Sequence, residues 1–141
     1  KDDPADLSGT NVTIFDIHAN YENGPFRAYG LYTQTKLSGA EKIGSGAAEK
    51  ANGYYVNLSY DIDSLTGLGY KMPIFVQYED FNPVASTVDG LNEDKYKTKT
   101  TTIGANFFPA DQVVLKADYA RKEVSGRDDE NIFSLGLGFV F

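Results

Sequence analysis

The chain has 141 residues, a formal net charge of −7, 41% apolar and 23% charged residues, and no cysteine. Such a composition excludes a disordered chain, disulfides, thiolate metal sites and cysteine nucleophiles, and its acidity argues against nucleic acid as a partner, since counterion release needs a basic patch. No run of about eighteen apolar residues could cross a membrane as a helix, and no basic segment followed by an apolar one marks a retained signal peptide.

Helical periodicity is nearly absent; apolar and polar residues alternate with period two in seven segments. Segment 11–21 sets Phe15, Ile17, Ala19 and Tyr21 against Asp16, His18 and Asn20. Segment 25–37 carries Phe26, Ala28 and Tyr32 opposite Arg27. Segment 53–62 sets Val56, Leu58, Tyr60 and Ile62 against Asn57, Ser59 and Asp61. Segment 72–81 has Ile74, Val76 and Tyr78 against Gln77 and Glu79. Segment 94–108 places Ile103, Ala105 and Phe107 against Thr102, Gly104 and Asn106. Segment 112–123 divides Val113, Leu115, Ala117 and Tyr119 from Lys116 and Asp118. Segment 131–141 ends the sequence with Phe133, Leu135, Leu137, Phe139 and Phe141 on one face. Its other face is mostly small, with Ser134, Gly136 and Gly138.

Most of these segments approach the roughly 9–11 residues that a tilted strand needs to span a bilayer, against about 5–6 for globular strands. The connections 22–24, 63–71 and 109–111 read as compact turns. Those at 38–52, 82–93 and 124–130 read as mostly longer and more polar. Alternating short and long connections predict an up-and-down meander with one plain end and one elaborated end, the pattern of an all-β antiparallel transmembrane barrel. Seven strands place the two ends of the chain on opposite sides, so residues 1–10 read as an extracellular loop segment and 11–141 as barrel strands. An even strand count is the rule for closed bacterial barrels, so seven strands, at about 20 residues each, read as part of a larger barrel.

In that arrangement one face meets lipid and the other a lumen. The lipid-facing set is Phe15, Ile17, Val56, Leu58, Tyr60, Val76, Tyr78, Phe107, Leu115, Tyr119, Phe133, Leu135, Leu137, Phe139 and Phe141. The pore-lining set is Asp16, His18, Asn20, Arg27, Asn57, Ser59, Asp61, Gln77, Glu79, Lys116 and Asp118. Arg27 is placed inward because a charge at the lipid midplane costs about 2–4 kcal/mol. Tyr21, Tyr60, Tyr78 and Tyr119 stand near the ends of the apolar faces, where a ring with a polar tip suits the headgroup level. A soluble β-barrel binding protein has the same period with polarity inverted. Charge-free apolar faces that include Ala19, Ala105 and Ala117 favour the membrane reading over a packed core.

Other features carry less. His18 and Asp16 share a strand face, but no motif supplies a nucleophile for them, so the reading is not an enzyme. The lone histidine and scattered acids give no metal site, and no cofactor is implied. Residues 67–70 (GLGY) have no helix after them and read as a turn, not a phosphate loop. Residues 38–53, with GAEK and GAAEK, read as a solvated linker before they read as a folded pore mouth. Lys95, Lys97 and Lys99 read as one strand face near an extracellular loop, touching anionic lipopolysaccharide.

The alternation ending in Phe141 resembles the closing strand of Gram-negative outer-membrane proteins, which implies recognition by the barrel-assembly machinery. Residues 15–34, 53–62, 73–83 and 102–121 resemble the phosphate-selective porin (O/P-type) family. That resemblance implies a 16-stranded, usually trimeric outer-membrane porin whose partners are lipid, lipopolysaccharide and the remaining N-terminal part of the same barrel. The expected function is passive diffusion of ions and small polar solutes; a small structural or adhesive outer-membrane barrel is the alternative. The family pattern often has Arg where this chain has Gln77, ahead of Tyr78-Glu79. One positive lumen charge is thus missing, and the assigned lumen charges lean negative.

Overall fold

The structure, a computed structural model, describes residues 7–91 and 93–139. Seven strands follow one another in a single antiparallel sheet, each paired only with its sequence neighbours. They are β1 (Asn11–Asn23), β2 (Phe26–Ser38), β3 (Ala48–Asp61), β4 (Pro73–Thr87), β5 (Thr98–Ala110), β6 (Val113–Val124) and β7 (Glu130–Phe139). Among the described residues β1 and β7 do not pair, so the sheet is open, in keeping with part of a barrel wall. Expectations attached to residues 1–6, Val140 and Phe141 lie outside the described residues.

The strands form where the alternating Tyr, Phe, Val, Ile and Thr residues lie, side chains that suit a pleated, half-exposed surface. Their limits differ from the alternation in an instructive way. β3 begins at Ala48 and β4 runs to Thr87, both well into segments that read as loops. Ladder hydrogen bonds are made by backbone and do not need an apolar face, so the strands outrun the hydrophobic pattern. Pro83, which has no N–H to give, falls where the β3–β4 register shifts between Lys50↔Ser86 and Asn52↔Asn82. There the buried Asn82 accepts the Val84 N–H at 3.1 Å. Its amide also donates to the Asp94 carboxylate, pinning the returning connection 88–97.

The connections do not alternate simply in length. The 62–72 connection is longer than 39–47 and 88–97, and carries a helical turn at Asp63–Thr66. The 38–53 segment is folded, not a solvated linker: a 3₁₀ turn at Ala40–Lys42 buries Ala40, and Lys42 Nζ donates to the Ser8 carbonyl. Lys95 and Lys97 precede β5, so only Lys99 of that lysine run lies on a strand.

No large side chain is fully buried among the described residues, while Leu135 is 75% exposed, Leu137 70% and Phe133 68%. A sheet with this much bare apolar surface has no core of its own. Its burial must come from whatever covers its faces.

Candidate functional site: the polar face of the sheet

The strand registers sort the side chains. Asp16, His18 and Asn20 stand opposite Thr33, Leu31 and Tyr29, and Arg27 stands opposite Ser59. Asn57 pairs with Gln77, Tyr55 with Glu79 and Asp61 with Pro73. Farther on, Gln77 pairs with Thr102, Asn106 with Lys116 and Gly104 with Asp118. One continuous face therefore holds all eleven polar residues singled out above. The opposite face holds Phe15, Ile17, Val56, Leu58, Tyr60, Val76, Tyr78, Phe107, Leu115, Tyr119, Phe133, Leu135, Leu137 and Phe139.

The polar face carries a trough of about 700 Å³ that runs from the end of β1 to β6. Arg27, Asn57, Ser59, Asp61, Gln77, Lys116 and Asp118 line it; Asp16, His18, Asn20 and Glu79 lie on the same face outside it. Glu22, Tyr29, Lys71, Phe75, Asn106 and Phe108 also line it. Alternation predicts Glu22, two residues beyond Asn20, and it predicts Tyr29 and Phe75 if residue type is ignored. Lys71 has no such signal, because it lies in a connection. It reaches the trough because the Phe108 N–H bonds its carbonyl at 3.0 Å, and its ammonium lies 5.4 Å from the Phe108 ring centre.

Two polar chains organise the wall. In the first, Arg27 Nε meets Glu22 Oε1 at 2.9 Å and Asn20 Oδ1 at 3.3 Å. The guanidinium also lies 5.5 Å from the Tyr29 ring centre. This pair is solvent-exposed, so it contributes about 0–1 kcal/mol and chiefly fixes the guanidinium's direction. In the second, Asn57 Nδ2 donates to Gln77 Oε1 at 2.9 Å and Gln77 Nε2 donates to Glu79 Oε1 at 3.1 Å. Asn57 is only 4% exposed, so its amide depends on that acceptor. Gln77 can accept at one end and donate at the other, which no arginine can do.

Asp61 has a second task. Its Oδ1 accepts the Asp63 N–H at 3.2 Å and the Met72 N–H at 2.9 Å, closing the base of the 62–72 connection. In the trough itself, Glu22, Asp61 and Asp118 balance Arg27, Lys71 and Lys116. The result is a water-accessible wall of mixed charge, amides and four aromatic rings (Phe26, Tyr29, Phe75 and Phe108), suited to contact with polar solutes.

An antiparallel up-and-down sheet with one polar, troughed face and one exposed apolar face is the wall of a β-barrel. The chain belongs to the phosphate-selective porin O and P family, whose model matches residues 6–141. An uncharacterised protein of Aquifex aeolicus (strain VF5) is 25% identical over 147 residues, covering 93% of this chain and 33% of that protein. The chain thus spans about a third of that relative's length. No solved structure matches it.

Proposed function

We propose that this chain forms part of the wall of an outer-membrane porin in a Gram-negative bacterium, bounding a water-filled lumen through which ions and small polar solutes diffuse. The observation that carries this is the division of the sheet into two faces with no buried core between them. In a soluble barrel the apolar set would be packed inside; here the apolar face carries no charge along the middle of its strands and includes the small residues Ala19, Ala105 and Ala117, which suits a lipid-facing band better than a packed core. Lipid would cover it, and backbone within lipid must be fully hydrogen-bonded, which a closed sheet achieves. The unpaired outer edges of β1 and β7 are then the seams where further strands of a 16-stranded barrel join. Trimer formation and assembly by the barrel-assembly machinery belong to the same proposal, as does the placement of residues 7–10 and the connections 39–47, 88–97 and 125–129 on the extracellular side. Channel function also separates this reading from a structural or adhesive barrel and from an enzyme.

The test is reconstitution of the porin containing this chain into planar bilayers. Stepwise conductance increments, altered by Lys116→Gln and unaltered by Gln34→Ser on the other face, are expected. A folded, membrane-inserted protein with no conductance would sink the channel reading.

A further inference from the structure

Ion pairs around the sheet match opposite charges. Arg27 meets Glu22 at 2.9 Å, Lys97 meets Asp80 at 3.6 Å, Arg121 meets Asp129 at 2.7 Å and Lys122 meets Glu130 at 3.9 Å. One pair breaks the pattern. The β2–β3 register sets Lys36 directly opposite Lys50, both exposed, and neither forms an ion pair with a described residue. Like charges in that position repel, with Cβ atoms about 4.5–5.5 Å apart. Two ammonium groups so placed can close on a single anion.

What lies beneath them indicates which anion. On the same face, the next row down is Gln34 opposite Asn52, and the row below that is Tyr32 opposite Tyr54. Tyrosine, amide and lysine thus succeed one another along the same two strands. Four residues separate the tyrosine row from the lysine row (36 − 32 and 54 − 50), which is about 13 Å at about 3.3 Å per residue. Tyrosine suits the boundary between hydrocarbon and headgroup. Amides then meet the hydroxyls and esters of headgroups, and the lysines stand at the depth of headgroup phosphates.

We propose that Lys36 and Lys50 form a binding site for the phosphate of a phosphorylated lipid in the outer leaflet. This rests on the assignment of the apolar face to lipid. An exposed pair of lysines holds free phosphate poorly, because both partners are fully hydrated. A phosphate whose acyl chains already lie against Val56, Leu58 and Val76 is delivered at high effective concentration. The repulsion between the lysines is then relieved only when the lipid is bound.

The experiment compares the wild-type porin with Lys36→Gln, Lys50→Gln and the double variant, purified in lipid-free detergent. The probes are bisphosphorylated lipid A, dephosphorylated lipid A and inorganic phosphate; the readout is the temperature at which the folded band is lost on unheated-versus-heated gels. Without lipid, each single variant should outlast wild type, because the like-charge contact is gone. With bisphosphorylated lipid A the order should reverse, and the double variant should need about 25-fold more lipid for half-maximal protection, about a factor of five per lysine. Dephosphorylated lipid A and inorganic phosphate should protect neither protein. Equal protection of wild type and double variant by lipid A overturns the site. Protection by inorganic phosphate alone shows a soluble-anion site instead and overturns the lipid assignment. Ion selectivity in bilayers should be the same for both proteins. A shifted reversal potential in the double variant would instead overturn the face assignment, and with it the porin reading beneath this proposal.

Discussion

At the scale of the residue, two positions show how a side chain's neighbours decide its role. Gln77 bridges the buried amide of Asn57 and the carboxylate of Glu79. Gln77→Arg supplies the lumen cation that the resemblance leads one to expect, yet it removes the acceptor for Asn57. An unsatisfied buried donor costs about 1–3 kcal/mol, offset in part by the new pair with Glu79. The expected result is a shift of reversal potential toward anions together with lower resistance to denaturant; unchanged selectivity would place position 77 away from the ion path. Gly104 is a packing case. A Cβ there would stand 2.6 Å from the end of the Phe75 ring and 2.8 Å from the Ala117 carbonyl oxygen. The ring can swing but the carbonyl is part of the β5–β6 ladder. Gly104→Ala should therefore cost about 1–3 kcal/mol, read by urea titration of the folded barrel, while a neutral result would mean the sheet relaxes freely there.

At the scale of the element, β7 offers the plainest contrast between faces. Leu135 is exposed on the apolar side, while Gly136 faces Lys116 with its nearest neighbour 3.7 Å from a built Cβ. Arg at 135 should cost about 2–4 kcal/mol in a bilayer, and Arg at 136 should fold. If 136 proved the more damaging in refolding into vesicles, the faces would be inverted and the soluble reading would gain. The 62–72 connection depends on Asp61, whose carboxylate takes two backbone N–H groups. Asp61→Ala should lose about 1–3 kcal/mol and loosen the connection to proteolysis, with Asp61→Asn intermediate because its amide oxygen still accepts. Wild-type stability in Asp61→Ala would show that solvent replaces the carboxylate there.

At the scale of the whole molecule, charge balance bears on the proposed channel function. The trough's three acids and three bases leave no net charge, although the chain carries −7. A balanced wall does not enrich either ion. The pore is expected to be near neutral or weakly cation-preferring, and Lys116→Gln should move its reversal potential under a KCl gradient toward cations. A strong chloride preference surviving neutralisation of Arg27, Lys71 and Lys116 would show that the rest of the barrel sets selectivity.

The period-two alternation was enough to determine the all-β class, the seven strands and the partition of residues such as Asn57 and Leu58 onto opposite faces, because a strand's side chains can only alternate. Residue type then misled in places. Tyr29 and Phe75 belong to the polar face by register, though their rings suggest otherwise, since a wall can seat an aromatic over a glycine such as Gly104. The true ends of β3 and β4 were hidden because backbone pairing continues past the apolar pattern. Lys71 in the trough, the folded 39–47 connection and the opposition of Lys36 to Lys50 were decided by tertiary structure alone. Each depends on register between segments distant in sequence, and register is a property of the paired backbone that no single strand's alternation contains.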